Sequence, residues 1–78
     1  MKREIKVGEV YKHFKGMKVL IICIAKDSET LKKQVVYKHI DSEEYWVRDY
    51  DMFNSLVDKD KYPNILQKYR FEKIESNN

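Results

Sequence analysis

A run of seven consecutive apolar residues, from Val19 to Ala25, constrains the fold of this chain more than any other feature. β-Branched residues recur along the run, and such residues favour strands. The run is far shorter than the roughly 20 residues that a membrane-spanning helix needs. Apolar residues at successive positions are typical of a strand buried on both faces. We therefore predict a strand over residues 17–26 at the centre of the fold, with Cys23 buried inside it.

The neighbouring segments predict a sheet around this strand. Gly8 to Phe14 alternates between two faces, as half-buried strands do, and Lys15-Gly16 supplies a turn because glycine adopts positive φ. Further strands are predicted over 34–40, 45–48 and 69–74, one or two helical turns over 50–57 and an exposed loop over 58–69. The predicted fold class is mostly β, a small antiparallel SH3-like β-barrel of about five strands with one short helical turn, since closure leaves few edges unpaired. Residues 1–78 are expected to form a single domain whose C-terminus, residues 75–78, frays.

Charge is distributed unevenly along the chain, although the net charge is only +3. Residues 1–18 hold six Lys or Arg against two Glu, whereas residues 41–60 hold seven acidic residues against two basic ones. This asymmetry is compatible with a polar binding face, but scattered solvating charge is the favoured explanation, because small domains commonly mix both signs. The charged segment 1–7 lacks the apolar region of a signal peptide. We therefore expect a cytoplasmic protein without membrane contact.

Six short signatures follow one another in a fixed order along the chain. The series runs His13-Phe14-Lys15-Gly16, Ser28-Glu29-Thr30, Val35-Val36-Tyr37, Trp46-Val47-Arg48, Met52-Phe53 and Arg70-Phe71-Glu72-Lys73-Ile74. In order and spacing it resembles a bacterial family of small uncharacterised proteins, catalogued as domain of unknown function 1653, from about Val7 to Ile74. The resemblance implies a fold neighbourhood and no reaction.

Three aromatic or cationic pairs are candidates for a binding surface. Their members are spaced two apart, so each pair shares one face of its strand. The pairs are Tyr11 with His13, Tyr37 with His39, and Trp46 with Arg48. If the three faces coincide, they form a polar-aromatic surface that stacks a ring or clamps an anion with Arg48. Alternatively, Tyr37 and Trp46 are core or rim residues, because period-2 reasoning does not relate one strand to another.

The loop segment Ser28-Glu29-Thr30 is the strongest single candidate, since polar loop residues often contact ligands. The alternative is a hydrogen-bonded turn in which the hydroxyls cap backbone amides. We expect no catalytic residue, because no nucleophile elbow, phosphate loop or paired-carboxylate motif is present. Two histidines 26 positions apart and one cysteine lack the spacing of a metal site. No cofactor is expected.

Together these features predict a non-enzymatic binding module that holds a protein segment or a small polar ligand in a polar-aromatic groove. The predicted ligand-binding residues are His13, Lys15, Ser28, Glu29, Thr30, Tyr37, Trp46 and Arg48. The alternative is an RNA- or DNA-contacting accessory domain that uses the basic N-terminal third, and nucleic acid is the less favoured partner because of the acidic segment 41–60. A catalytic fragment that needs a partner is a third possibility.

Overall fold

The computed structural model of the protein describes residues 3–74, so the predicted fraying of residues 75–78 lies outside the described residues. Within that range the elements are β1 Val10–His13, β2 Lys18–Lys26, β3 Lys33–His39, β4 Tyr45–Asp49, α1 Tyr50–Phe53 and β5 Phe71–Lys73. The five strands form one antiparallel sheet in the order β4-β3-β2-β1-β5. The predicted mostly β class, with five antiparallel strands and one short helix, is confirmed. No helix within residues 3–74 is long and apolar enough to span a membrane.

The strand β2 lies at the centre of the sheet, as its apolar run predicts, but only one of its faces is buried. Val19 and Ile21 are each 1% exposed. The register then shifts between Ile21 and Cys23, so that Ile24 packs against the core and Cys23 is exposed. The predicted burial of both faces and of Cys23 is therefore wrong. The sheet is a single layer, and residues of α1 and the flanking segments pack against only one of its faces.

That covered side, called the inner face here, carries an aromatic core. Phe53 of α1 stacks on Phe71 of β5 with ring centroids 4.0 Å apart and planes 5° apart. Tyr11 and Tyr37 each approach Phe53 at 5.5 Å. These rings pack with the aliphatic side chains of Ile5, Val19, Ile21 and Val35 into one core, on whose buried apolar area so small a domain depends.

Local signals in the sequence explain two of the turns. Gly16 has a φ of 107°, and the amide of His13 donates to the carbonyl of Met17 at 2.7 Å, which closes the β1–β2 hairpin. Asp49 ends β4 and begins α1, because its carboxylate accepts from the amides of Asp51 and Met52. The short helix is therefore fixed by a cap at one end and by Phe53 in the core.

The predicted closure of the sheet into a barrel is not confirmed. β4 and β5 are the two edges of the sheet and do not pair with each other. A bridge between Leu56 and Tyr69 joins the two ends of the segment that connects α1 to β5. The gap between the two edges is called the seam below, and the residues on its two sides form the candidate site.

Candidate functional site

A pocket of about 300 Å³ lies at the seam. His13 and Lys15 come from the end of β1 and the following turn, Arg48 from β4, Lys61 from the loop after α1, and Arg70 from the position directly before β5. These five residues define the cationic pocket. They are contributed by four separate segments, so the fold concentrates positive charge that the sequence disperses.

The two arginines of the cationic pocket have unused hydrogen-bond donors. Arg48 Nε and Arg70 Nε are buried and have no hydrogen-bond partner. Within residues 3–74, neither guanidinium forms an ion pair. The Arg48 guanidinium carbon lies 5.7 Å from the centre of the Phe71 ring, which holds the charge over an apolar surface. An unpartnered buried donor costs about 1–3 kcal/mol, and more when it is charged, so the arrangement favours any anion that satisfies both arginines.

His13 is neutral and has a defined tautomer. The amide of Lys15 donates to His13 Nδ1 at 3.0 Å, so the ring proton lies on Nε2, which is a donor. Burial, reinforced by the charges of Arg48, Lys15 and Arg70, lowers the pKa of His13 from 6.5 to about 4. A bound anion would oppose the effect of those charges, so His13 reports on the electrostatics of the pocket.

Aromatic rings connect the cationic pocket to the core. His13 contacts the core residue Phe71 at 4.8 Å and stacks on Phe14 at 4.5 Å. Phe14 in turn approaches Tyr62 at 4.9 Å, and the Lys15 ammonium lies 5.6 Å from the Tyr62 ring. These ring contacts therefore form an apolar wall beside the cations.

One carboxylate, that of Asp58, also lines the pocket. Asp58 Oδ1 accepts from the amides of Asp60 and Lys61, at 3.0 and 3.3 Å. It forms no ion pair with the arginines in the described part of the chain. Asp58 therefore orders the loop that carries Lys61 and Tyr62, and the pocket keeps an excess of positive charge.

Four of the predicted ligand-binding residues lie at or near this pocket. His13, Lys15 and Arg48 line it, and Tyr37 lines a smaller adjoining cavity of about 80 Å³ together with His13 and Arg48. Trp46 and Arg48 stand opposite Tyr37 and Val35 in the β3–β4 register, so all four share the inner face. Trp46 is 49% exposed and contacts His39 at 6.1 Å, so it borders the group without lining the pocket.

The other three predicted residues lie elsewhere. Ser28, Glu29 and Thr30 are exposed in the β2–β3 turn, at the end of β2 away from His13. Nine residues of β2 at about 3.3 Å each separate the two ends by roughly 25–30 Å. Asp27 Oδ1 accepts from the amides of Glu29 and Thr30, and these bonds lower the pKa of Asp27. The structure therefore gives this segment the geometry of a hydrogen-bonded turn and does not bring it to the pocket.

Sequence reasoning missed several residues of the site. Phe14 and Arg70 were noted only as parts of family signatures, and Lys61 and Tyr62 were assigned to an exposed loop. No local pattern marks them, because the tertiary fold alone brings residues 57–62 and Arg70 to the β1–β2 hairpin. The predicted last strand, 69–74, includes Arg70, so the sequence places this residue in the sheet without indicating that it lines a pocket.

A larger cavity, of about 680 Å³, lies on another side of the helix and is lined by both signs of charge. Arg3 stacks on Tyr69 at 3.7 Å and donates from Nε to Asn54 at 2.7 Å, while Glu4 and Asp51 also line the cavity. Arg3 Nη2 is also buried without a partner, but Arg3 Nε is hydrogen-bonded and two carboxylates line this cavity, which makes it the weaker candidate. Residues 3–74 contain no group of three or more His, Cys, Asp or Glu able to hold a metal ion.

Comparisons with known proteins identify the family alone. No curated protein and no solved structure gave a significant match. The family model described as protein of unknown function (DUF1653) matches residues 9–73, which include the whole sheet and every residue of the cationic pocket. The protein therefore belongs to the DUF1653 family.

Proposed function

We propose that the protein is a non-enzymatic binding module that holds an anionic group of a protein segment or small polar ligand in the cationic pocket. One observation carries the proposal: Arg48 and Arg70, on the two sides of the seam, both have a buried Nε without a partner. Charged, buried donors normally have acceptors. A carboxylate or a phosphate in the pocket would pair with the guanidinium groups of both arginines, which form no ion pair within residues 3–74.

The remainder of the pocket suits the same ligand. Neutral His13 presents an Nε2 donor, and Lys15 and Lys61 add charge at the rim. The wall formed by Phe14 and Tyr62 gives apolar contact to the part of the ligand that carries the anion. The pocket therefore combines orienting donors, positive charge and an apolar wall.

A nucleic-acid phosphate is the second candidate, because Phe14 and Tyr62 are flanked by lysines and aromatic rings stack bases. The lysines at the two ends of β2 do not form one basic surface, however. Lys12, Lys15 and Lys18 lie at the β1–β2 hairpin, and Lys32 and Lys33 lie at the far end of β2. Binding to three or four phosphates would give a log–log salt slope near −3, whereas a single anionic group gives a weak salt dependence.

Titration with inorganic phosphate and with acetate, followed by two-dimensional NMR, tests the proposal. We expect saturable shifts centred on His13, Lys15 and Arg48. Arg70→Gln should weaken binding about tenfold, the equivalent of one lost charge-assisted hydrogen bond. Arg3→Gln is the matched control, because it removes the same charge from the other cavity. An absence of saturable shifts, or equal weakening by both variants, would contradict the proposal.

Two finer assignments belong to the same proposal. The strand order and the facing edges β4 and β5 support an SH3-like barrel left open at the seam. The lone, exposed thiol of Cys23 suits a reducing compartment, which supports action in the bacterial cytoplasm.

A further inference from the structure

The edge strand β4 exposes large apolar residues on both of its faces. Tyr45, Trp46 and Val47 are 60%, 49% and 62% exposed. Their neighbour on one side is β3, and no strand of the described chain pairs with the other side. An exposed apolar edge strand is a template for pairing with another strand.

The hydrogen bonds of the sheet fix which backbone groups of β4 point outward. The amide of His13 donates to the carbonyl of Met17, and the amide of Ile40 donates to the carbonyl of Lys18. Before the bulge, the backbone N–H and C=O groups of odd-numbered β2 residues therefore point to β1, and those of even-numbered residues point to β3. These directions alternate along every antiparallel strand. The backbone groups of Tyr37 in β3 therefore point to β4, where Tyr37 pairs with Trp46. The N–H and C=O groups of Tyr45 and Val47 therefore face the free edge.

The side chains along this edge are complementary to themselves. Trp46 and Arg48 share the inner face. Glu44 directly precedes β4, and lengthening the strand by that one residue in a dimer would place Glu44 on the same face. An antiparallel copy of the strand centred on Trp46 places Glu44 opposite Arg48 at both ends and Trp46 opposite itself. These would be non-hydrogen-bonded pairs, in which side chains are closest, while Tyr45 and Val47 exchange the backbone bonds.

From this register we infer that β4 is the interface of a two-fold homodimer, in which a second copy of the chain adds its own β4 and the two sheets become continuous. A shift of the centre to Val47 would place Arg48 opposite Trp46 and leave Glu44 without a cation. The Trp46-centred register is therefore the one that charge selects. Such isologous, self-complementary contacts are the commonest form of dimer.

The size of the contact sets the affinity to be expected. One short strand pair buries less than the roughly 1,000 Å² typical of a stable interface, so the dimer is weak, with a Kd on the order of 0.1–1 mM. Association should therefore be seen at high protein concentration and be lost on dilution.

Trp46 is the only tryptophan, so its fluorescence reports the proposed interface directly. We expect the emission of Trp46 to shift to the blue and its quenching by acrylamide to fall as protein concentration rises through that range. Sedimentation velocity should show a monomer–dimer equilibrium over the same range. A monomer at every concentration, including one that binds peptides along β4, would overturn the inference.

A charge swap tests the register. Glu44→Arg and Arg48→Glu should each remain monomeric, because like charges then meet twice in the dimer. Mixing the two variants restores both opposite-charge pairs, so a heterodimer should form and be seen by native mass spectrometry. The control Glu29→Arg, exposed in the β2–β3 turn and outside this register, should dimerise like the wild type. Association of either single variant at wild-type strength, or no heterodimer on mixing, would refute the register.

The dimer and the anion pocket both use Arg48, so a bound anion and the second copy compete for it, and other residues tell the two claims apart. Arg70→Gln should weaken phosphate binding and leave association unchanged, whereas Glu44→Arg should do the reverse. A failure of one measurement therefore leaves the other claim standing.

Discussion

The pKa of His13 depends on Arg48, so Arg48→Gln tests the charge arrangement of the cationic pocket. His13 titrates at about 4 instead of 6.5 because of burial and then of the charge of Arg48. A unit charge about 4 Å away contributes about 1 kcal/mol in water and about 4 kcal/mol at an effective dielectric of 20, and about 1.4 kcal/mol equals one pKa unit. Since burial is the largest cause, we expect Arg48→Gln to raise the pKa of His13 by about one unit and no further.

NMR titration of the ring protons measures this directly, because the chain has only two histidines. Arg3→Gln is the control for net charge, and it should leave the pKa of His13 unchanged since Arg3 lines a different cavity. Saturating phosphate should raise the pKa of wild-type His13 in the same direction as Arg48→Gln. A wild-type His13 that titrates near 6.5, or one that is insensitive to Arg48, would refute the arrangement.

Three further predictions concern stability. Acid should destabilise the fold through His13, because the unfolded ring takes up a proton below pH 6.5 and the native ring only near pH 4. The free energy of unfolding should therefore not change through His13 above pH 6.5. It should fall by about 1 kcal/mol between pH 6.5 and pH 4, allowing for solvent screening of a half-buried ring. Urea unfolding of wild type and His13→Gln at both ends of that range measures it, and a pH-independent difference between them would argue against it. Ile21→Asp should abolish the folded state, since an unpaired buried carboxylate costs several kcal/mol against a total stability of about 3–5 kcal/mol. Cys23→Asp, on the exposed face, should keep a free energy of unfolding within about 0.5 kcal/mol of wild type. Circular dichroism tests both variants, and the reverse ranking would show that the face carrying Ile21 is not in the core. Asp49→Ala should lose about 0.5–2 kcal/mol with the helix cap, and an unchanged denaturation midpoint would exclude the cap as a source of stability.

The strands could be predicted from the sequence because their signals are local. Alternation predicted β1 over 8–14 and the apolar run predicted β2 over 17–26, close to Val10–His13 and Lys18–Lys26. The inward face of β2 could not be predicted, because the bulge after Ile21 changes the parity without any glycine or proline to mark it. The apolar run therefore located the strand, but the prediction that both of its faces are buried wrongly buried Cys23.

The candidate site was only partly predictable, since it is assembled by tertiary structure. Spacing alone placed Trp46 and Arg48 on one face, which the register confirms. Spacing does not give the exposure of either side chain, however: the indole is half exposed, while Arg48 has a buried Nε. The seam explains this, because Arg48 extends over Phe71 and Trp46 stands at the open edge.

A crystal structure of the protein grown with sulfate tests the central claim most directly. We predict a tetrahedral anion between Arg48 and Arg70, with nitrogen–oxygen distances of about 2.7–2.9 Å, and His13 Nε2 as a further donor. Crystals of Arg70→Gln should lack that anion under the same conditions. If both guanidinium groups instead pair with Asp58, or if sulfate binds at Arg3 and leaves the cationic pocket empty, the claim is contradicted.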